Sequence, residues 1–351
     1  MLNLVRRLCA APGAGWASSS GGHAPLAVPL HERRYGTSQP AAVRFAWLDE
    51  LSGAGPAVCL LGVPYAGGSY GISCSDSGPL GIRLAMEHRG IGRHTLRDLG
   101  DVRYLPGPPT DDMLAPQWLE RIRAERHGDA AAQLPVSMLS AAAAIAGSCA
   151  AGGVPLITLG GDHSVSAATI RGLGAAGVGL LHIDAHGDLS TGRDGLQLLH
   201  SSWIHAADAT VGLAAVVQVG VVDGSVLPQW LDGRVLRLDT TDVDGAAAAA
   251  AAAVAFLAAR GCDQVYLSID IDALTSHDAP ATGLPGGDLR LGSLLTFLDA
   301  LGHSSAAIRW VGADVTEVAP TLSGLSGWAE EPTCGSAALL VERLAELLSP
   351  R

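Results

Sequence analysis

The stretch Val178-Gly179-Leu180-Leu181-His182-Ile183-Asp184-Ala185-His186-Gly187-Asp188 changes character halfway along. Its first six residues form an almost unbroken apolar run, the pattern of a strand buried on both faces. Its last five alternate acid, imidazole and acid with small residues. Residues i, i+2 and i+4 of an extended chain share a face. A continued strand would therefore bring Asp184, His186 and Asp188 to one spot. That spot lies past the carboxyl end of a strand, where open α/β sheets hold their ligands. Two carboxylates and an imidazole there make half of a metal site. A polar loop with a capping Asp reads the same at this point.

The pattern recurs outward from this stretch. Apolar runs at 57–64, 154–159, 214–221, 234–238, 264–270 and 307–313 read as further strands, and Leu96 to Val102 is read as another short strand. Helical segments are expected at 78–86, 114–126, 136–151, 165–173, 200–208, 246–259, 291–301 and 334–348; Pro79 and Gly152-Gly153 supply start and stop signals. The alanine run Ala246–Ala253 is the best of helix formers. Continuous apolar strands separated by helices imply a three-layer α/β/α architecture around a mostly parallel sheet. We read residues 46–351 as one domain and residues 1–45 as a flexible extension. Met1 to His31 has no acid and carries Arg6, Arg7 and Ser18-Ser19-Ser20. That composition suits disorder, and it also suits an organellar leader. The expected location is the cytoplasm, or the mitochondrion if residues 1–35 are a transit peptide.

Composition excludes some classes. With 351 residues and 48% hydrophobic content the chain can bury a large core. A net charge of -12 argues against non-specific nucleic-acid binding and is compatible with a small cationic substrate. No run is long and apolar enough to suggest a membrane span. The six cysteines form no Cys-x-x-Cys pair and read as reduced, small hydrophobes.

Three more strand ends carry unexpected polar residues. Gly160-Gly161-Asp162-His163-Ser164 follows 154–159, and its glycines permit a tight turn. Ser268-Ile269-Asp270-Ile271-Asp272 ends 264–270; two like charges there are costly without a cation. Glu317 follows the run Trp310–Val315 and could face a cationic substrate. The first two stretches and the opening one together offer two imidazoles and four Asp carboxylates. That set suits two divalent ions roughly 3.5–4 Å apart sharing carboxylates, an arrangement that activates water at neutral pH. Hard oxygen donors dominate and thiolates are absent, which points to Mn²⁺ rather than Zn²⁺.

These three motifs resemble the signatures of the ureohydrolases, the family of arginases, agmatinases, guanidinobutyrases and proclavaminate amidinohydrolases. Gly78-Pro79-Leu80-Gly81-Ile82-Arg83 is similar to a further family segment, and the likeness runs from about Gly62 to the C-terminal helix. The resemblance implies an arginase-like fold and two manganese ions. His163, Asp184, Asp188 and Asp270 match the ligands of one ion; Asp184, His186, Asp270 and Asp272 match those of the other. Asp184 and Asp270 bridge. His200 resembles the family's proton-shuttle histidine, although Ser201 stands where the family has Gly. Glu317 resembles its substrate-binding acid. With Asp188, these make up the candidate catalytic set. Ser190 and Leu198 replace two asparagines that help arginases hold the amino-acid end of arginine. The expected reaction is hydrolysis of agmatine, or of guanidinobutyrate or a related guanidino compound, to urea and an amine. The alternatives are an arginase, a deacetylase of acetylated amines using one metal, and a non-catalytic family member. A homo-oligomer, trimer or hexamer, is implied by the family's habit alone.

Overall fold

Side chains alternate between the two faces of a strand, and in this chain both faces are apolar. Leu60, Ile157, Leu181, Val217 and Leu267 belong to one core cluster; Cys59, Leu156, Leu180, Val216 and Tyr266 belong to clusters on the opposite face. A sheet of this kind must be covered on both sides. The computed structural model describes residues 27–28, 58–71, 73–92, 96–102, 108–127, 135–239, 245–304 and 308–349.

The elements run β1 (Ala27–Val28), β2 (Val58–Gly62), α1 (Gly78–Arg89), β3 (Leu96–Val102), α2 (Pro116–His127), α3 (Met138–Ala151), β4 (Leu156–Leu159), α4 (Ser164–Leu173) and β5 (Gly179–Ile183). They continue with α5 (Trp203–Val211), β6 (Ala215–Val219), β7 (Val235–Leu238), α6 (Ala246–Ala259), β8 (Gln264–Asp270), α7 (Leu291–Ser304), β9 (Arg309–Thr316) and α8 (Pro332–Leu348). Helices α1, α6, α7 and α8 pack on one face, and α3, α4 and α5 on the other. The fold is the expected three-layer α/β/α architecture around a mostly parallel sheet.

Among the described residues the sheet has the order β1-β3-β2-β4-β9-β8-β5-β6-β7. Only the two-residue β1 is antiparallel to its neighbour. The four central strands, β4, β9, β8 and β5, are the four whose carboxyl ends carry the polar stretches. Parallel pairing puts those ends side by side, so the topology itself builds the site.

Two boundaries differ from expectation. β9 runs to Thr316, three residues beyond 313, so Asp314 is a strand residue and Glu317 follows immediately. His200–Ser202 form a 3-10 turn ahead of α5, where a helix was expected from 200. Ala27–Val28 pair with β3 inside the expected extension, whose remainder lies outside the described residues. No described helix is long and apolar enough to cross a membrane. The five described cysteines are free.

Candidate metal centre

The acidic pairs meet through turns, where a continued pleat was expected. β5 stops at Ile183, Asp184 Oδ1 accepts the N–H of His186 at 2.6 Å, and Asp188 has φ 49°. β8 stops at Asp270, whose Oδ1 accepts the N–H of Asp272 at 2.8 Å over the 3-10 turn Ile271–Ala273. Each Asp caps its own turn and bends the chain back towards the site. After β4, a Cβ on Gly161 would stand 1.8 Å from the Tyr65 carbonyl oxygen, so only glycine fits this approach. Asp162 accepts N–H groups from Gly68 and Ser164 and so ties the loop after β2 to the start of α4. Burial pushes its carboxyl up to about 6.

Two ligand groups result. His163 Nδ1 lies 3.2 Å from Asp184 Oδ2, 3.2 Å from Asp188 Oδ2 and 3.1 Å from Asp270 Oδ2. It nevertheless makes no hydrogen bond of acceptable angle and is fully buried. Atoms bound roughly at right angles, at ~2.1 Å, to one ion stand about 3 Å from each other. The spacing is that of neighbours around a shared centre. In the second group, His186 Nδ1 lies 3.0 Å from Asp272 Oδ2 and 3.4 Å from Asp184 Oδ1. Asp184 therefore offers one oxygen to each group.

The electrostatics call for cations. Burial and the neighbouring Asp272 and Asp184 charges hold Asp270 well above the carboxylate range; burial and Asp184 push Asp272 up to about 7. The Asp184 and Asp272 carboxylates push His186 up to about 12. Burial pulls the His163 ring down, yet the facing Asp184, Asp188 and Asp270 hold it well above its ordinary value. Hard oxygens with two imidazoles, an orphaned ring nitrogen and crowded acids together fit two divalent ions.

Glu317 and His200 sit on the wall above. Glu317 has φ 61°, is 6% exposed, and accepts the His163 N–H at Oε1 (2.9 Å). Its Oε2 has only a 3.4 Å contact from the Ser73 hydroxyl. His200 Nδ1 is 3.8 Å from Glu317 Oε1, and its Nε2 is buried without a partner. Burial lowers its pKa. Both residues line a cavity of about 620 Å³, with His186, Asp188, Asp270 and Asp272 at its floor. Six of the eight candidate residues thus line one cleft, and His163 and Asp184 are fully buried beside them, against Asp188 and Asp270.

Three supports escaped the sequence reading. Trp203 donates Nε1–H to Asp188 Oδ2 at 2.9 Å and stacks on His163, with centroids 4.6 Å apart. Ser268 Oγ lies 2.8 Å from His163 Nε2. His182 Nε2 lies 2.8 Å from Asp184 Oδ2. A lone imidazole inside an apolar run was the available signal for His182; nothing local marks Trp203.

A family model described as the arginase family matches residues 56–344. The chain belongs to the arginase family. Among relatives, proclavaminate amidinohydrolase of Streptomyces clavuligerus is 31% identical over 172 residues, covering 47% of this chain and 54% of that protein. Formimidoylglutamase of Halobacterium salinarum is 29% identical over 282 residues, covering 75% and 80%. The chain thus spans about half the length of the first relative and most of the second. The agmatine ureohydrolase of Thermoplasma volcanium shares the fold with TM-score 0.61 and 20% identity, covering 84% of this chain and 90% of that one. In this arginase-family chain the Ser201 hydroxyl bonds the Tyr70 hydroxyl, and the Tyr70 ring stands edge-on to His200 at 4.7 Å.

Proposed function

We propose that the chain is a binuclear manganese amidinohydrolase that cleaves a linear guanidino compound to urea and an amine. The observation that carries this reading is Asp184, which turns one oxygen to each of two ligand groups beneath Glu317 and His200. His163, Asp184, Asp188 and Asp270 would hold one ion; Asp184, His186, Asp270 and Asp272 would hold the other. Bound ions would supply the Lewis acidity that makes water nucleophilic at neutral pH.

The remaining work falls to the protein. Glu317 Oε2, nearly free of partners, can accept guanidinium N–H groups and orient the trigonal carbon. Burial first, and the Asp162 charge next, hold the Glu317 carboxyl well above its usual range, so an adjacent guanidinium would draw it back to the ionised form. His200, whose pKa burial lowers and which lines the cavity, can take a proton from the attacking water on its imidazole and return it to the departing amine nitrogen. The carbon–nitrogen bond to the chain breaks, water supplies the carbonyl oxygen, and its protons leave on the amine.

The far end of the substrate faces the mouth. Leu189, Val226 and Leu284 suit an alkyl spacer. Asp223 also lines the cavity. Partial burial pushes its carboxyl up, but the N–H groups of Ser225 and Gly187 outweigh this and hold it below the usual range. A fixed anion there supports an ammonium tail, as in agmatine. A second reading has its own support: the Arg193 guanidinium lies 4.7 Å from the ring centroid of Tyr70, which lines the cavity, and favours a carboxylate tail. With Mn²⁺ present, urea release from agmatine, 4-guanidinobutyrate and arginine tests both. Agmatine should give the highest kcat/KM, and a preference for guanidinobutyrate would favour the second reading. Absence of urea from every compound would overturn the amidinohydrolase assignment.

A further inference from the structure

Beneath the ligands, one row of residues crosses the sheet. Strand register sets Asp314, Ser268, His182, Gln218 and Arg237 side by side on β9, β8, β5, β6 and β7. The first four are fully buried. Polar side chains in an apolar sheet are costly unless paired, and this row is paired in a definite direction. Arg237 Nε donates to Gln218 Oε1 at 3.0 Å. Gln218 Nε2 donates to the Gly187 carbonyl at 2.7 Å and lies 3.2 Å from His182 Nδ1. His182 Nε2 lies 2.8 Å from Asp184 Oδ2.

The donor and acceptor roles follow without choice. Arginine only donates, and a backbone carbonyl only accepts. The Gln218 amide is therefore fixed from both sides, with its oxygen towards Arg237 and its NH₂ towards Gly187. That NH₂ also meets His182 Nδ1, which must accept. The ring's proton then sits on Nε2, and His182 donates to Asp184. With Nδ1 engaged and Nε2 carrying hydrogen, the ring has no lone pair for an ion, although it lies within ligand distance of His163, Asp184 and Asp188.

We propose that Arg237, Gln218 and His182 form a positioning relay that fixes one His182 tautomer and, through its single N–H, the rotation of the Asp184 carboxylate. The proposal rests on the two-ion reading of the site. A shared carboxylate must keep one oxygen turned to each ion. The His186 N–H holds Oδ1 and the His182 N–H holds Oδ2, leaving a lone pair on each for its ion. His182 is thus a positioning residue.

The test uses full-length protein and Mn²⁺ alone. Binding is measured by equilibrium dialysis with metal analysis, and electron paramagnetic resonance distinguishes a coupled ion pair from single ions. His182→Phe removes the donor and should weaken binding about 10–100-fold with loss of the coupled signal. His182→Gln, whose amide N–H can reach the same oxygen, should retain the pair. Long-range ¹⁵N spectra of the ion-free wild type should show His182 protonated at Nε2, a readout that needs no variant to fold. Wild-type affinity in His182→Phe, failure of His182→Gln to rescue, or an Nδ1–H signature would each overturn the relay. Wild-type protein that takes up no divalent ion would remove the two-ion reading, and the relay's purpose with it.

Discussion

Replacing Trp203 with Phe separates ion binding from packing. The indole is fully buried, donates to Asp188 Oδ2 at 2.9 Å and stacks on His163. Phenylalanine keeps a ring against His163 but has no N–H for Asp188. A hydrogen bond to a charged acceptor contributes about 1.5–3 kcal/mol. If that loss falls on the ion held by His163 and Asp188, its Kd rises about 10- to 150-fold. The smaller ring leaves roughly 40 Å³ unfilled, which costs about 1 kcal/mol of stability in the ion-free protein. Equilibrium dialysis against Mn²⁺ should show one weakened site and one, at His186 and Asp272, unchanged. Thermal unfolding without metal should show a Tm lower by a few degrees. Two unchanged affinities with lowered stability would mean that Trp203 only fills space.

Further outcomes follow from the same geometry. In the ion-free protein the Asp184 and Asp272 carboxylates push His186 up to about 12, and burial and Asp184 push Asp272 up to about 7. Manganese must displace those protons, so affinity should rise with pH between about 6 and 9, with protons released on binding; a flat profile contradicts this. His200→Gln should lower kcat about 10²- to 10⁴-fold while bound manganese stays constant; loss of metal instead would make His200 part of the ion site. Gly161→Ala drives a Cβ into the Tyr65 carbonyl and should cost about 1–3 kcal/mol in denaturant unfolding. Unchanged stability would show that the loop has room to move.

The layer architecture was legible because buried parallel strands write themselves as short apolar runs, and seven of the nine described strands fall on such runs; β3, with Arg97, Asp98 and Asp101, does not. The grouping of His163, Asp184, His186, Asp188, Asp270 and Asp272 was legible for a different reason: each motif ends a strand, and parallel pairing aligns strand ends. The local geometry was read wrongly. Alternation suggested that Asp184, His186 and Asp188 share a pleat, whereas Asp184 and Asp270 cap turns through their own side chains. Period-two reasoning gives the same residues for either conformation. The supports were hidden because they depend on tertiary register. Gln218 and Arg237 acquire meaning only when β5, β6 and β7 lie side by side, and Trp203 only when α5 packs beneath α4 and β5.

Anomalous diffraction from manganese-soaked crystals tests the central claim most directly. Two manganese peaks roughly 3.5–4 Å apart are expected, one beside His163 and Asp188, the other beside His186 and Asp272, with Asp184 between them. A single peak, or peaks away from Asp184, would contradict the account.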